Sequence, residues 1–440
     1  AVGGEYRREE LFYQADPIVE SGRTFYNAIP TFAPEPFDVK EAFAEIRVPI
    51  IADTPFFEEL TVSGSGRVSD YGGSVGTVYA YNAGLEWQPI QDLRLRAQYG
   101  RSVRAPNLSE TSFPISQNFA PGFSDPCLPQ NLNQGSANRA ANCQADLGAL
   151  INDPQFVALP NYSLEILSGS NPNLTEETSD SYTIGAVFQP SFVPGFALTV
   201  DYYDIAVKNV ITSVSAQGLV NTCYDLPDLD NPFCALITRF RGPGSGPNDE
   251  VPGQILDQDL VVSGVNFAAR TVRGVDVEAS YRTTFGANNA INTRFIYTHL
   301  FERSNFEDPT NPDFENVILE ELGDPKDEFR WNLDVQLDRF TIGYEMRYIG
   351  PMYINTFEDY NSVNGDPPEN PDYADIRKYQ ATFYHDVRAG FKLTDDFDFD
   401  FGVDNVLDTN PPLGLTGIGA GSGIYRIKGR TFYAGFRAGF

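Results

Sequence analysis

Histidine, methionine and tryptophan are nearly missing from this chain, with two residues of each in 440. So few histidines leave little from which to build a haem or zinc site, and no cofactor is expected. Basic residues are also short, with 31 Lys and Arg against 60 Asp and Glu, a net charge of −29. A surface this acidic repels phosphodiester backbones, which excludes nucleic acid as a partner. No apolar run approaches the roughly 20 residues of a membrane helix, which excludes helical membrane proteins. It does not exclude β-barrels, whose spanning segments need only about 9–11 residues of alternating polarity. No signal peptide is apparent at the N-terminus.

Cysteine is scarce, and its four copies fall in two close pairs, Cys127/Cys143 and Cys223/Cys234. Neither pair has Cys-x-x-Cys spacing or a nearby histidine, so zinc is disfavoured. Two local disulfides are the simplest pairing, and they imply an oxidising compartment. The acidic excess reads as a solvated surface. The sharper alternative is calcium-type binding in loops such as "DLPDLDNP", Asp225–Pro232.

Phenylalanine (33), tyrosine (23), glycine (38) and proline (31) are abundant, as expected where many strands are joined by turns. The aromatics fall in a two-residue period. In "FDFDFGVDNV", Phe397, Phe399, Phe401 and Val403 alternate with Asp398, Asp400, Gly402 and Asp404. In "LRLRAQYG", Leu93, Leu95, Ala97 and Tyr99 alternate with Arg94, Arg96, Gln98 and Gly100. "WNLDVQLD", "YAYNAGLEW" and the terminal "GRTFYAGFRAGF" repeat the pattern. Strands of this kind have one apolar and one polar face. A dense charge row opposite an aromatic row fits a membrane barrel, apolar outside and wet inside. Slipping the register by one residue would put Arg94 and Arg96 into hydrocarbon at about 2–4 kcal/mol each near the midplane.

Fourteen strands are predicted, at 2–14, 38–50, 57–69, 77–88, 92–103, 179–190, 196–211, 270–282, 290–301, 328–338, 340–352, 379–393, 397–408 and 429–440. Some connections are short, such as "QPIQD" and "TTFGANNA", others are long, and over the second half of the chain they alternate short and long. The long loops are expected at 104–178, 212–269, 302–327, 353–378 and 409–428, and they hold both cysteine pairs. Outer-membrane barrels behave this way, with short periplasmic and long extracellular connections. This all-β barrel would lie in the bacterial outer membrane against lipid. Arg437 would face the lumen, Phe436 lipid, and Phe440 the inner aromatic girdle.

Six blocks are more specific: "RSVRAPNLSE", "NPNLTEETSDSYTIG", "LTVDYYDIAVKNVI", "RGVDVEASY", "VDNVLDTNPP" and "GRTFYAGFRAGF". In this order they resemble the successive C-terminal blocks of TonB-dependent outer-membrane receptors. "KEAFAEIRVPI" followed by "PFFEELTVSGSGRVSDY" resembles that family's large-loop branch. The resemblance covers essentially all of 1–440. It implies a nutrient receptor rather than an enzyme. Such a receptor takes its substrate at extracellular loops and a plug inside a barrel of about 22 strands, and a TonB-type energy-coupling protein drives import. It also implies that Phe440 is part of the signal read by the barrel assembly machinery. No plug or coupling box is recognisable, so the chain reads as the C-terminal part of such a receptor. The plug and remaining strands would then be missing, cleaved or on another chain. A passive fourteen-strand pore and a barrel-anchored scaffold or adhesin remain as alternatives, and the substrate has no signature.

Other motifs are weaker. "GGSVG" (Gly72–Gly76) has nucleophile-elbow spacing but lies in a hairpin loop. "GIGAGSG" (Gly417–Gly423) is glycine-rich with no helix to follow. His299 and His385 lie on or near strands, and a bulge or an interface position explains His385 on an apolar face. Arg94, Arg96, Arg104, Asp386 and Arg388 line the expected lumen, as a substrate path or as a structural ion-pair lattice. In the loops, "NFAPGF" (Asn118–Phe123) and "PMYINTFEDY" (Pro351–Tyr360) set rings beside polar groups, for ligand contact or for packing.

Overall fold

The computed structural model describes residues 1–24, 30–394, 396–412 and 423–439. Its wall has fourteen strands in sequence order: β1 (Val2–Glu9), β2 (Phe37–Thr54), β3 (Phe57–Asp70), β4 (Thr77–Ile90), β5 (Leu93–Arg104), β6 (Glu177–Phe188) and β7 (Phe196–Ser213). It continues with β8 (Gly264–Phe285), β9 (Asn289–Phe306), β10 (Asp327–Leu337), β11 (Phe340–Ile349), β12 (Thr382–Thr394), β13 (Phe397–Asp404) and β14 (Thr431–Ala438). Each pairs antiparallel with its neighbours in the chain, and a two-residue strand, Asn316–Val317, hangs off β9. The sheet is not closed: β1 and β14 are its two edges.

All fourteen predicted strands are present. The largest boundary differences are at one end of the wall. β8 starts at Gly264 rather than 270, and β9 runs on to Phe306 rather than 301. The β8 extension carries two register shifts against β7, between Asn266 and Arg270. The β9 extension sets Glu302 and Ser304 on one face and Arg303 and Asn305 on the other, so neither continues the alternation of the rest of its strand. β1 stops at Glu9 rather than 14, and β13 ends at Asp404, where Asn405 takes a left-handed φ of 53°. At one end of the sheet the connections are 55–56, 91–92, 189–195, 286–288, 338–339 and 395–396. At the other they are 10–36, 71–76, 105–176, 214–263, 307–326, 350–381 and 405–430. The connections sort by length between the two ends with one exception, 71–76, which is short at the long end. That turn is the "GGSVG" hairpin, closed by Tyr71 N donating to Gly76 O at 2.9 Å, with Gly72, Gly73 and Gly76 at positive φ.

The register carries each alternation across the wall. Arg96 pairs with Gly185, and Gly185 with Asp201, all on the polar face. Ala97 pairs with Ile184, and Ile184 with Tyr202, on the apolar face. Among the described residues, nothing packs over the large apolar side chains of that face. Ile184 is 63% exposed, Phe436 66%, Phe399 49% and Phe401 43%. A soluble sandwich would bury those residues, whereas a wall in lipid leaves them bare.

The main buried core lies instead in the loops. Connections 105–176 and 214–263 fold together around Phe123, Leu128, Phe156, Leu164, Leu219 and Ile255. Helices Arg139–Leu147 and Ala216–Asp225 flank a small sheet of Ser116–Phe123, Tyr162–Ser168 and Val261–Val262. The disulfides are Cys127–Cys143 and Cys223–Cys234, one within each connection, with Cα atoms 5.4 and 4.7 Å apart. Neither crosses between the two connections. Replacing Cys223 and Cys234 by serine opens a ring of only 11 residues. The expected loss is about 2 kcal/mol in this loop domain and none in the wall. Protease sensitivity within 105–176 and 214–263, compared with that of the wall strands, measures it.

Candidate functional site

The long-loop end gathers the irregular structure and two clefts of about 800 and 650 Å³. The loop domain is seated on the wall by charge and by amides. Arg104, the last residue of β5, donates Nε and Nη2 to Glu177 of β6 at 2.6 and 2.7 Å, and Nη1 to Glu110 at 3.0 Å. Glu177 also accepts from Ile211 N at 2.8 Å, which ties β6 to β7. Asn266 donates to the carbonyls of Thr175 and Asn209 at 3.0 and 2.9 Å, and Asn171 to that of Gly264 at 2.9 Å.

Inside the loop domain, Arg239 and Asp125 form a buried ion pair, with side chains 1% and 0% exposed. Two bonds of 2.7 and 3.1 Å join them, and Arg239 also donates to Tyr224 Oη and Gly253 O, each at 2.7 Å. Burial alone would lower the Arg239 pKa, but the Asp125 charge and these acceptors raise it instead. A second pair joins the two connections: Arg139 donates to both Asp225 oxygens at 2.7 and 2.5 Å. Sequence reading missed Arg239 and Asp125. Partners 114 residues apart leave no local pattern.

Connections 307–326 and 350–381 and the described residues of 405–430 form a second, smaller assembly over β11 and β12, where Ile349, Met352, Tyr384 and Tyr425 pack together. Carboxylates stitch it: Glu321 accepts from Phe357 N and Glu358 from Val317 N, both at 2.8 Å. Burial raises Glu321, and the charges of Glu358, Asp324 and Asp359 add to the shift. Burial also raises Asp324, against the pull of Arg303. An acid raised on folding holds its proton more tightly in the folded state. Its stabilising contribution is therefore full below the ordinary carboxylate range and is lost as pH rises through the raised value. Protease cleavage within 307–326 and 350–381 is expected to be slower at pH 5 than at pH 8.

The polar face of the wall holds the charges singled out in the sequence, and it pairs them. Arg96 reaches across β6 to Asp201 with bonds of 2.9 and 2.5 Å. Gly185 lies between them, and a Cβ there would meet Asp201 Oδ1 at 1.9 Å. Arg388 reaches across β11 to Asp334 at 2.5 Å, over Gly343, where a Cβ would stand 2.2 Å from Arg388 Nε. Two glycines thus act as saddles that let an ion pair lie flat over an intervening strand. Arg94 donates to Gln88 at 3.2 Å, and Asp386 is held by Arg426 at 2.7 and 2.8 Å and by Asn405 N at 2.7 Å. Exposed pairs of this kind contribute about 0.2–1 kcal/mol each, so their main effect is on side-chain position. Asp386 and Arg388 line one small cavity with Glu345, Asp404 and Tyr433, about 120 Å³ in volume. Arg94, Arg96 and Arg104 stand seven strands away, on β5.

Other expected sites resolve toward packing. Phe123 of "NFAPGF" is in the loop core, while Phe119 is exposed. Tyr353 and Tyr360 of "PMYINTFEDY" stack on each other with centroids 5.5 Å apart and are buried. In "DLPDLDNP", Asp225 is taken by Arg139, and Asp228 accepts from Asp230 N at 3.0 Å. Among the described residues no three potential metal ligands converge. His385 sits in unbroken register opposite Met346, so a bulge does not explain it. Tyr344 Oη lies 2.7 Å from its Nδ1, and Phe383 and Tyr348 continue the same outward aromatic cluster. His299 is bonded to Asp327 at 2.7 Å at the equivalent edge of β9 and β10. Phe440 and most of "GIGAGSG" lie outside the described residues.

A family model described as "TonB dependent receptor-like, beta-barrel" matches residues 1–406. No curated protein matches the chain. Among solved structures, the ferric enterobactin receptor PfeA of Pseudomonas aeruginosa is similar at a TM-score of 0.58 and 15% identity, covering 99% of this chain and 51% of that one. The siderophore receptor PirA of Acinetobacter baumannii gives 0.56 and 13%, covering 92% and 46%. The copper transporter OprC gives 0.51 and 13%, covering 100% and 53%. At these identities the likeness is one of fold, and the chain spans about half the length of the structures it matches. Fourteen sorted strands, a bare apolar face and a family match over most of the length converge: the chain belongs to the TonB-dependent receptor-like β-barrel family.

Proposed function

We propose that the chain forms the wall and ligand-receiving loops of an outer-membrane receptor that imports a nutrient actively. The apolar face meets lipid, the polar face lines the lumen, the short turns are periplasmic and the long loops extracellular. The observation that carries this reading is the sorting of connections by length, broken only at 71–76, with the folded loop assemblies at one end of a wall whose apolar face is exposed. Folded loops offer a binding surface, and a paired lumen face offers a stiff conduit. In lipid each unpaired backbone group at the edges of β1 and β14 would cost several kcal/mol. Those edges must therefore be paired, and on this reading further wall strands, from the same full-length protein or a second chain, pair with them and a plug belongs with them. A TonB-type protein supplies the energy, and the barrel assembly machinery inserts the wall, with Phe440 in its recognition signal.

The test is a deletion strain and its complement, assayed for nutrient accumulation with and without a protonophore. Active import requires that the deletion abolish uptake of at least one nutrient, and that the protonophore abolish the same uptake in the complemented strain. Uptake that survives collapse of the gradient identifies a passive pore. An intact uptake profile in the deletion strain, with loss of a surface partner, identifies a scaffold.

A further inference from the structure

Between the loop domain and the wall lies a cleft of about 650 Å³. Loop residues Ile115, Phe233 and Leu236 form one side, and Asn209, Asn266 and Phe267 of β7 and β8 form another. Pro309 and Pro312 of the next connection close over it. Among the described residues that line it none is charged, in a chain that carries 60 acidic and 31 basic side chains.

That lining selects against charge. An anionic or cationic ligand entering the cleft would give up hydration with no counter-charge to replace it, which costs several kcal/mol. Sites for carboxylate, phosphate or catecholate groups are built with arginine or lysine, and this lining has neither. What it has is a set of carboxamides and hydroxyls, each able to donate and accept. Some are already locked: Asn209 donates to Glu176 O at 2.7 Å, and Asn266 and Asn171 are bonded as described above. Others are free. Among the described residues, no side-chain hydrogen bond engages the Asn173 carboxamide or the Ser263 hydroxyl. Phe233 and Phe267, with the prolines, supply flat apolar faces beside these polar groups. The volume lies within the range of sites for small ligands, about 300–1,000 Å³.

The geometry points to a short, uncharged oligosaccharide as the occupant of this cleft. Its hydroxyls meet the amides and Ser263, and the C–H faces of its rings lie on the phenylalanines. This rests on the reading of the chain as a receptor and names the substrate class of that receptor.

The test titrates the full-length receptor in detergent with maltotriose, xylotriose and cellotriose, and with tri-galacturonate and a ferric tris-catecholate as charged counterparts. At least one neutral trisaccharide is expected to saturate a single site, at least tenfold tighter than either charged probe. Ser263→Asp and Asn173→Asp, which place a carboxylate in the cleft, are each expected to weaken it tenfold or more. Phe233→Ala is expected to do the same by removing a stacking face. Asn173 and Ser263 anchor nothing, so the melting midpoint of those two variants should match the wild type. Tighter binding of a charged probe overturns the inference, as does the absence of saturable neutral binding, or neutral binding indifferent to both aspartates. Binding in detergent needs no energy, so the two readings fail separately. Neutral-sugar binding combined with gradient-independent uptake overturns active import alone. Gradient-dependent uptake of charged ligands only overturns the sugar assignment alone.

Discussion

Replacing Arg239 with methionine is expected to unfold the loop domain while leaving the strand wall folded. The substitution strands Asp125, which is fully buried and takes two hydrogen bonds from the guanidinium. Removing one partner of a buried pair costs about 3–5 kcal/mol, because the remaining charge is left in a low-dielectric site. The same change also removes a donor to Tyr224 Oη and to Gly253 O, and a cation over the rings of Tyr224 and Phe156. The loop domain has its own core and meets the wall through polar contacts, so the loss should not propagate. Limited proteolysis should release fragments from 105–176 and 214–263. Heat-modifiable migration on a gel, which reports the folded wall, should be unchanged. Pairing Arg239→Met with Asp125→Leu should restore most of the loss, since apolar groups of similar volume can replace a buried pair. If the single variant melts wall and loops together, the loop domain is not an independent unit.

The second large effect concerns Ile184, at the middle of β6 and 63% exposed on the apolar face. On a soluble protein, changing an exposed isoleucine to arginine alters stability by no more than about 0.5 kcal/mol. In a bilayer the same change near the midplane costs about 2–4 kcal/mol. Ile184→Arg is therefore expected to lower the yield of folded wall in lipid vesicles and to shift the urea midpoint down by that amount. Thr183→Arg, one residue away on the polar face, should be nearly silent. Equal effects at the two positions would mean that lipid does not cover the apolar face.

Much of the wall was legible from the sequence. Alternation located all fourteen strands, because each strand carries its own record of an apolar and a polar face, one on every second residue. The parity of the connections and the pairing of neighbouring cysteines were legible for a related reason, since both are short-range along the chain. The strands were misjudged where that record fades. β8 begins with two register shifts between Asn266 and Arg270, and β9 ends on Glu302, Arg303, Ser304 and Asn305, polar on both faces, so the period-two signal is broken in both extensions.

The candidate site was legible only in part. Arg96 and Arg388 stood out in the sequence as charges on the wet face, but nothing in it showed that each reaches over a glycine to an aspartate two strands away. The "NFAPGF" and "PMYINTFEDY" rings looked like ligand contacts, yet Phe123, Tyr353 and Tyr360 are buried in loop cores. Segments that pack against each other across more than a hundred residues leave no periodicity to read.

The sequence by itself therefore determined the wall: its strand number, its two faces and the sorting of its connections. These follow from local backbone geometry and from the contrast between an apolar and a polar face. Only the tertiary structure decided that the two longest connections share one core, that Asp125 and Arg239 neutralise each other inside it, and that an uncharged cleft opens where that core meets β7 and β8. Those depend on which distant side chains come within contact range, and contact energies act through space, not along the chain.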